Sequence, residues 1–185
     1  MVARRSAPPS PATAPLTVAL LALPGVVAFD AVLAGQVFGD PTPTRDHPRA
    51  PAGGLYTLRL CGLGPGPVTA AGGLPFVLPA GLEALADAHT IVVPGVADHE
   101  QPPPPTVLDA LRAAHARGAR LLSICTGAFI LAAAGVLDGR RATTHWARAA
   151  RLAALYPRVC VDPRVLYVDE GVGRHEKLTP GDTEI

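Results

Sequence analysis

Three residues of this chain have the type and position to do chemistry: Cys125, Asp30 and His145. Cys125 sits in Ser123-Ile124-Cys125-Thr126-Gly127, between two apolar runs. Residues 119–124 read as a buried strand, and a helix over 126–134 follows at once. A side chain on such a turn stands out above the sheet, and Gly127 lets the chain pack closely there. The start of the helix offers unpaired N–H donors and the positive end of its dipole, both of which favour a thiolate. The same N–H groups could hold an oxyanion. The competing reading is a structural cysteine, because free Cys is often buried.

Asp30 follows the first apolar run and His145 follows a short run at 142–144. Asp30 could share a proton with the Cys125 sulfur or with a ligand, or it could cap the helix that begins there. His145 lies 20 positions after Cys125. A Cys-His pair serves nucleophilic catalysis when it is made in space, whereas a histidine at a helix start also caps or packs beside Trp146. Thr126, Gly127 and Gly95 stand beside these positions as the candidate ligand-binding residues. Cys61 and Cys160 fall in expected strands and read as core thiols. His115 lies where a cation favours a helix C-terminus. His89, Asp98 and His99 lack metal-ligand spacing, and neither a metal nor a cofactor is expected.

Positioning these residues requires strands that alternate with helices. Residues 16–23, LTVALLAL, are apolar throughout, as suits a parallel strand covered on both faces. Further strands are expected at 55–61, 90–93 and 119–124, and a hairpin around Gly72-Gly73 joins 68–70 to 76–78. Helices are expected at 30–38, 82–88, 106–117 (capped by Thr106), 126–134 and 146–156. Short strands are expected at 142–144, 159–161 and 165–168. Pro102–Pro105 reads as a stiff spacer before a helix, or else as a ligand for a proline-reading module. The alternation implies an α/β fold, a doubly wound, mostly parallel sheet with helices on both faces. In such sheets ligands gather beyond the carboxyl ends of the strands, where all three candidates fall.

The length of 185 residues suits one domain, and 49% hydrophobic residues can build a core. A net charge of +1 argues against a broad basic surface, so direct nucleic-acid binding by this chain is not expected. Three cysteines without a C-x-x-C pair point to reduced thiols in the cytoplasm. Arg4 and Arg5 before an apolar run resemble a secretory signal, but four prolines separate the two. No apolar run reaches the ~18 residues of a membrane span. Residues 1–15 are expected to be a disordered tail, 16–171 the domain, and 172–185 a polar tail.

The stretches ALLALPGVVAFDAV, QVFGDPTP, HTIVVPGV, VLDALRAAHARGAR and SICTGAFILAAAGVLDGRRATTHWARAARLAALYPRV resemble the DJ-1/PfpI superfamily, itself similar to class I glutamine amidotransferase domains. The similarity is strongest to the N-terminal domain of GlxA-type regulators of the AraC family. It implies a flavodoxin-like fold, a homodimer and a small-molecule ligand. It places Cys125 on the family's nucleophile elbow, Asp30 where relatives carry an acidic residue that bonds the cysteine, and His145 near an occasional histidine partner. Some relatives are hydrolases or hydratases, and isonitrile hydratases use an Asp and a Cys in similar positions. The regulators continue past VLYVDEG into an apolar helix and a helix-turn-helix. Here VGRHEKLTPGDTEI follows instead. The expectation is a ligand-sensing and dimerising domain of a regulator, truncated before its DNA-binding region. The alternative is a thiol-dependent hydrolase or hydratase using Cys125 with Asp30.

Overall fold

The computed structural model describes residues 14–40 and 54–170. In chain order its elements are β1 (Leu16–Leu21), α1 (Ala28–Gly39), β2 (Tyr56–Cys61), β3 (Gly66–Thr69), β4 (Pro75–Leu78), β5 (Thr90–Val93), α2 (Pro105–Ala116), β6 (Arg120–Ser123), α3 (Gly127–Ala133), β7 (Arg141–Ala142), α4 (Ala149–Leu155) and β8 (Cys160–Val161). Short 3-10 turns occupy Leu82–Leu85 and Trp146–Arg148. A four-stranded sheet in the order β2-β1-β5-β6 forms the centre. All its pairings are parallel, with Leu16 opposite Tyr56, Val18 opposite Thr90 and Ile91 opposite Leu121.

Strict side-chain alternation divides the core. Ala19, Leu21, Ile91 and Val93 face α2 and α3, meeting Val107, Leu111, Ile130 and Leu131. Val18, Leu20 and Val92 face the other way, toward Ala31 and Ala34 of α1 and toward Val68 and Leu78 of the β3-β4 hairpin. Both sides of β1 are therefore dry, which is why its sequence shows no polar alternation. A third cluster of Phe129, Ala132, Ala142, Leu152 and Val159 joins α3 to α4 and to the β7-β8 pair. Burying each such Leu or Val contributes about 1.5–3 kcal/mol. This is the α/β fold with a parallel sheet and helices on both faces that the sequence implied.

Several local expectations are corrected. The segment expected as a strand at 165–168 is not one: Leu166 is fully exposed, and the segment is anchored by one hydrogen bond, from Thr143 Oγ1 to Val165 O. A strand exists only through its ladder, and none of the described strands pairs with this segment. Thr106 lies inside the first turn of α2, which Pro104 precedes and Pro105 opens, as suits a residue without an N–H. The helix expected at 82–88 is a single 3-10 turn, and the one expected at 146–156 begins as a 3-10 turn before α4. The expected tails at 1–15 and 172–185 fall almost wholly outside the described residues.

Candidate functional site

Three strand ends are laced together where the candidate residues lie. Beyond β5 runs Pro94-Gly95-Val96. The Gly95 N–H donates to Asp30 Oδ2 at 3.0 Å, and Gly95 O accepts from the Val27 N–H at 2.7 Å, which ties β5 to the start of α1. The Thr126 hydroxyl accepts from the Val96 N–H and donates to Val96 O, both at 2.9 Å, which ties β5 to the start of α3. The Ile124 N–H completes the lacing by donating to Val93 O at 3.0 Å. A Cβ on Gly95 would lie 2.8 Å from Asp30 Oδ2 and 2.9 Å from Thr126 Oγ1, so only glycine fits between these two buried groups.

Asp30 is not the cap of α1. Val27 holds that position, and Asp30 lies within the first turn, buried, with its carboxylate directed at Gly95. The run ahead of it could not reveal this, because the partner of Asp30 is a backbone amide 65 positions away.

Cys125 carries the one positive φ of a non-glycine residue among the described residues, 52°. A left-handed conformation costs an L-residue roughly 1–2 kcal/mol, so its surroundings must impose it. Gly127 is one constraint. A Cβ there would collide with Val93 O and lie 2.8 Å from Pro94 O, which brings α3 directly against the end of β5. A second is Thr144, whose hydroxyl donates to Cys125 O at 2.7 Å.

Burial pushes the Cys125 thiol above its ordinary pKa. Hydrogen bonding from the Thr126 amide opposes this, the negative charge of Asp30 adds to it, and the Thr126 hydroxyl opposes it more weakly. Desolvation therefore outweighs the helix start that was expected to favour a thiolate. Cys125 is half-buried, between the buried Cys61 and the exposed Cys160.

His145 stands beside this site but faces its own turn. Its Nδ1 accepts from the Ala147 N–H at 3.2 Å, and its ring stacks on exposed Trp146 with centroids 5.6 Å apart. It thus caps the 3-10 turn, and the residue before it, Thr144, makes the contact with Cys125. Thr126 and Gly127 are committed to the internal lacing. Thr144 escaped the sequence reading. The Thr143-Thr144 pair before His145 was its only signal, and a bond across 19 positions leaves no periodic trace.

Of the other thiols, Cys61 is buried and pushed up to about 12 by desolvation, with Glu83 adding to the shift. Cys160 is exposed rather than a core thiol, because β8 has only two residues and its neighbour Val159 fills the core instead. Burial and the nearby Arg140 lower the pKa of His115, so desolvation defeats the helix-end cation expected there. Among the described residues no cluster of His, Cys, Asp or Glu could hold a metal ion, and no helix is long and apolar enough to cross a membrane.

Comparison with known proteins places the chain. Over 108 residues it is 41% identical to an uncharacterized protein encoded in the cpoL 5' region of Streptomyces lividans, covering 57% of this chain and 75% of that one. It is 31% identical over 115 residues to the HTH-type transcriptional regulator CdhR of Pseudomonas aeruginosa, covering 62% of this chain and 34% of the regulator. It is 39% identical over 87 residues to an isonitrile hydratase of Pseudomonas putida, covering 44% of this chain and 36% of the hydratase. The chain thus spans about a third of the length of the regulator and of the hydratase. The fold is shared with an AraC family transcriptional regulator from Pseudomonas putida (TM-score 0.66, 23% identity, 83% of this chain and 80% of that one). It is shared also with Drosophila melanogaster DJ-1beta (TM-score 0.69, 18% identity, 86% of this chain and 80% of that one). The DJ-1/PfpI family model matches residues 18–180, and the chain belongs to that family.

Proposed function

We propose that this chain is the ligand-sensing and dimerising domain of a transcriptional regulator, with its small-molecule site at Cys125, Asp30 and Gly95. The observation that carries this is the state of the sulfur. A strained turn presents Cys125 half-buried, and burial, with the charge of Asp30 adding to it, raises the pKa of its thiol. A neutral thiol beside a buried carboxylate suits recognition better than attack, since the thiolate is the nucleophile. The regulators among the relatives support the same reading. Dimerisation is supported by α1, which exposes Phe29, Val32, Leu33 and Val37 with no charge among them. A cytoplasmic location fits a free, half-buried thiol.

The test is a thermal-shift screen of small metabolites on wild type and Asp30→Asn, with sedimentation for the oligomeric state. A compound that stabilises wild type and loses its effect in Asp30→Asn is the expected result. A monomer that no compound stabilises would remove the reading.

One observation favours a second reading. The similarity to an isonitrile hydratase, with Asp30 acting on the Cys125 sulfur, fits a thiol-dependent hydrolase or hydratase. Cys125 would attack a nitrile, isonitrile or carbonyl carbon while Asp30 carries the proton. Undiminished turnover by Cys125→Ser would exclude it.

A further inference from the structure

The bond from Thr144 to the elbow lies outside both readings. Its acceptor, Cys125 O, belongs to the same planar peptide unit as the Thr126 N–H. That N–H is the group whose hydrogen bonding offsets part of the burial effect on the Cys125 sulfur. Turning the peptide to release the oxygen would swing the N–H away from the sulfur, because a planar unit moves as one. The Cys125–Thr126 peptide is the middle unit of a turn that the Gly127 N–H closes on Ile124 O, and that closing bond uses neither the oxygen nor the N–H of the middle peptide itself. The Thr144 hydroxyl is also the outside donor to this oxygen, reaching in at 2.7 Å from the segment after β7.

We infer that Thr144 is a positioning residue for Cys125: its hydroxyl holds the Cys125–Thr126 peptide in the orientation that presents the Thr126 N–H to the sulfur. This rests on Cys125 being the centre of the site, and it assigns that site a determinant on a different element. A hydrogen bond at one end of a peptide also polarises the other, so the hydroxyl strengthens the N–H as well as aiming it. The β7-β8 unit thereby acquires a handle on the thiol, and anything that moves Thr144 changes how readily Cys125 ionises.

The experiment is an NMR titration of protein labelled with 13C at cysteine Cβ, which reads each thiol whether or not any ligand binds. Thr144→Val keeps the side-chain shape and removes the donor, and it is expected to move the Cys125 midpoint to higher pH. Alkylation of Cys125 near neutral pH should fall about threefold to tenfold, the effect of weakening one hydrogen bond to an anion. Thr144→Ser restores the hydroxyl and should return the midpoint to its wild-type place. Thr143→Val removes the neighbouring hydroxyl, bound to Val165 O, and should leave it unmoved. A Thr144→Val midpoint equal to wild type, or an equal shift in Thr143→Val, overturns the inference. If Thr144→Val does not fold, wild type decides. In a second wild-type sample labelled with 13C at threonine Cβ, the Thr144 resonance should then titrate with the Cys125 midpoint, and a flat response overturns the inference. Failure of the functional reading would register instead in the ligand screen, which these titrations do not use.

Discussion

Replacing Gly127 by alanine adds one methyl group at the tightest point of the site. The added carbon would overlap Val93 O and approach Pro94 O to 2.8 Å and Val93 C to 3.0 Å. All three are backbone atoms of the segment closing β5, so no rotamer change relieves the contact. Either α3 lifts from the sheet or the end of β5 moves, and each route strains the bonds of Asp30 to Gly95 and Thr126 to Val96. Overpacking by a methyl group costs typically 1–3 kcal/mol, and a rigid obstacle belongs at the upper end, about 3 kcal/mol. For a domain of this size that lowers Tm by roughly 6–12 °C. Differential scanning calorimetry of the variant beside Gly35→Ala supplies the measurement and its control. Nothing lies within 4 Å of a Cβ on Gly35, which sits inside α1, so that change should stabilise by about 0.5–1 kcal/mol. A Gly127→Ala Tm within about 2 °C of wild type would refute the close approach of α3 to β5.

The strain at Cys125 predicts that Cys125→Gly is more stable than Cys125→Ala, since alanine keeps the left-handed penalty of about 1–2 kcal/mol and glycine does not; urea denaturation of the two variants checks this. Asp30→Asn keeps an acceptor for the Gly95 N–H but removes a negative charge, so the Cys125 alkylation profile should move to lower pH; an unmoved profile would show that Asp30 does not act on the sulfur. Cys61 titrates at about 12 in the fold against 9.0 ordinarily, so only the unfolded chain ionises between those values. Its contribution is intact below pH 9 and declines above it, by about 1.4 kcal/mol per pH unit, and Cys61→Ala should flatten that part of the stability curve relative to wild type.

The sheet was legible because burial on both faces writes itself as unbroken apolar text: LTVALL for β1 and TIVV for β5. The turn at Cys125 was legible because strand, Cys-Thr-Gly and helix are contiguous. What escaped depends on partners far away in sequence. Residues 165–168, Val-Leu-Tyr-Val, are strand-forming types, yet propensity states only a preference, and pairing needs a neighbour. Asp30 looked like a cap because a cap is local, whereas its real partner sits beyond β5. The state of the Cys125 thiol turned on a contest between desolvation and hydrogen bonding, which residue types alone cannot rank. The family resemblance supplied the fold, though not the contact between Thr144 and Cys125.

The paired bonds between the Thr126 hydroxyl and both backbone groups of Val96 act as a side-chain rung continuing the ladder past the last residue of β5. Val96 lies beyond the last residue of β5, where it makes an isolated antiparallel bridge with Val26. Its N–H can open only when Thr126 leaves, and Thr126 leads directly into α3, whose residues Phe129 and Ile130 are core. The amide of Val96 should therefore exchange as slowly as those within the central sheet, and with the same denaturant dependence. The loop bearing Gly95 and the turn bearing Cys125 would then form one cooperative unit, so the site persists as long as the core beneath it.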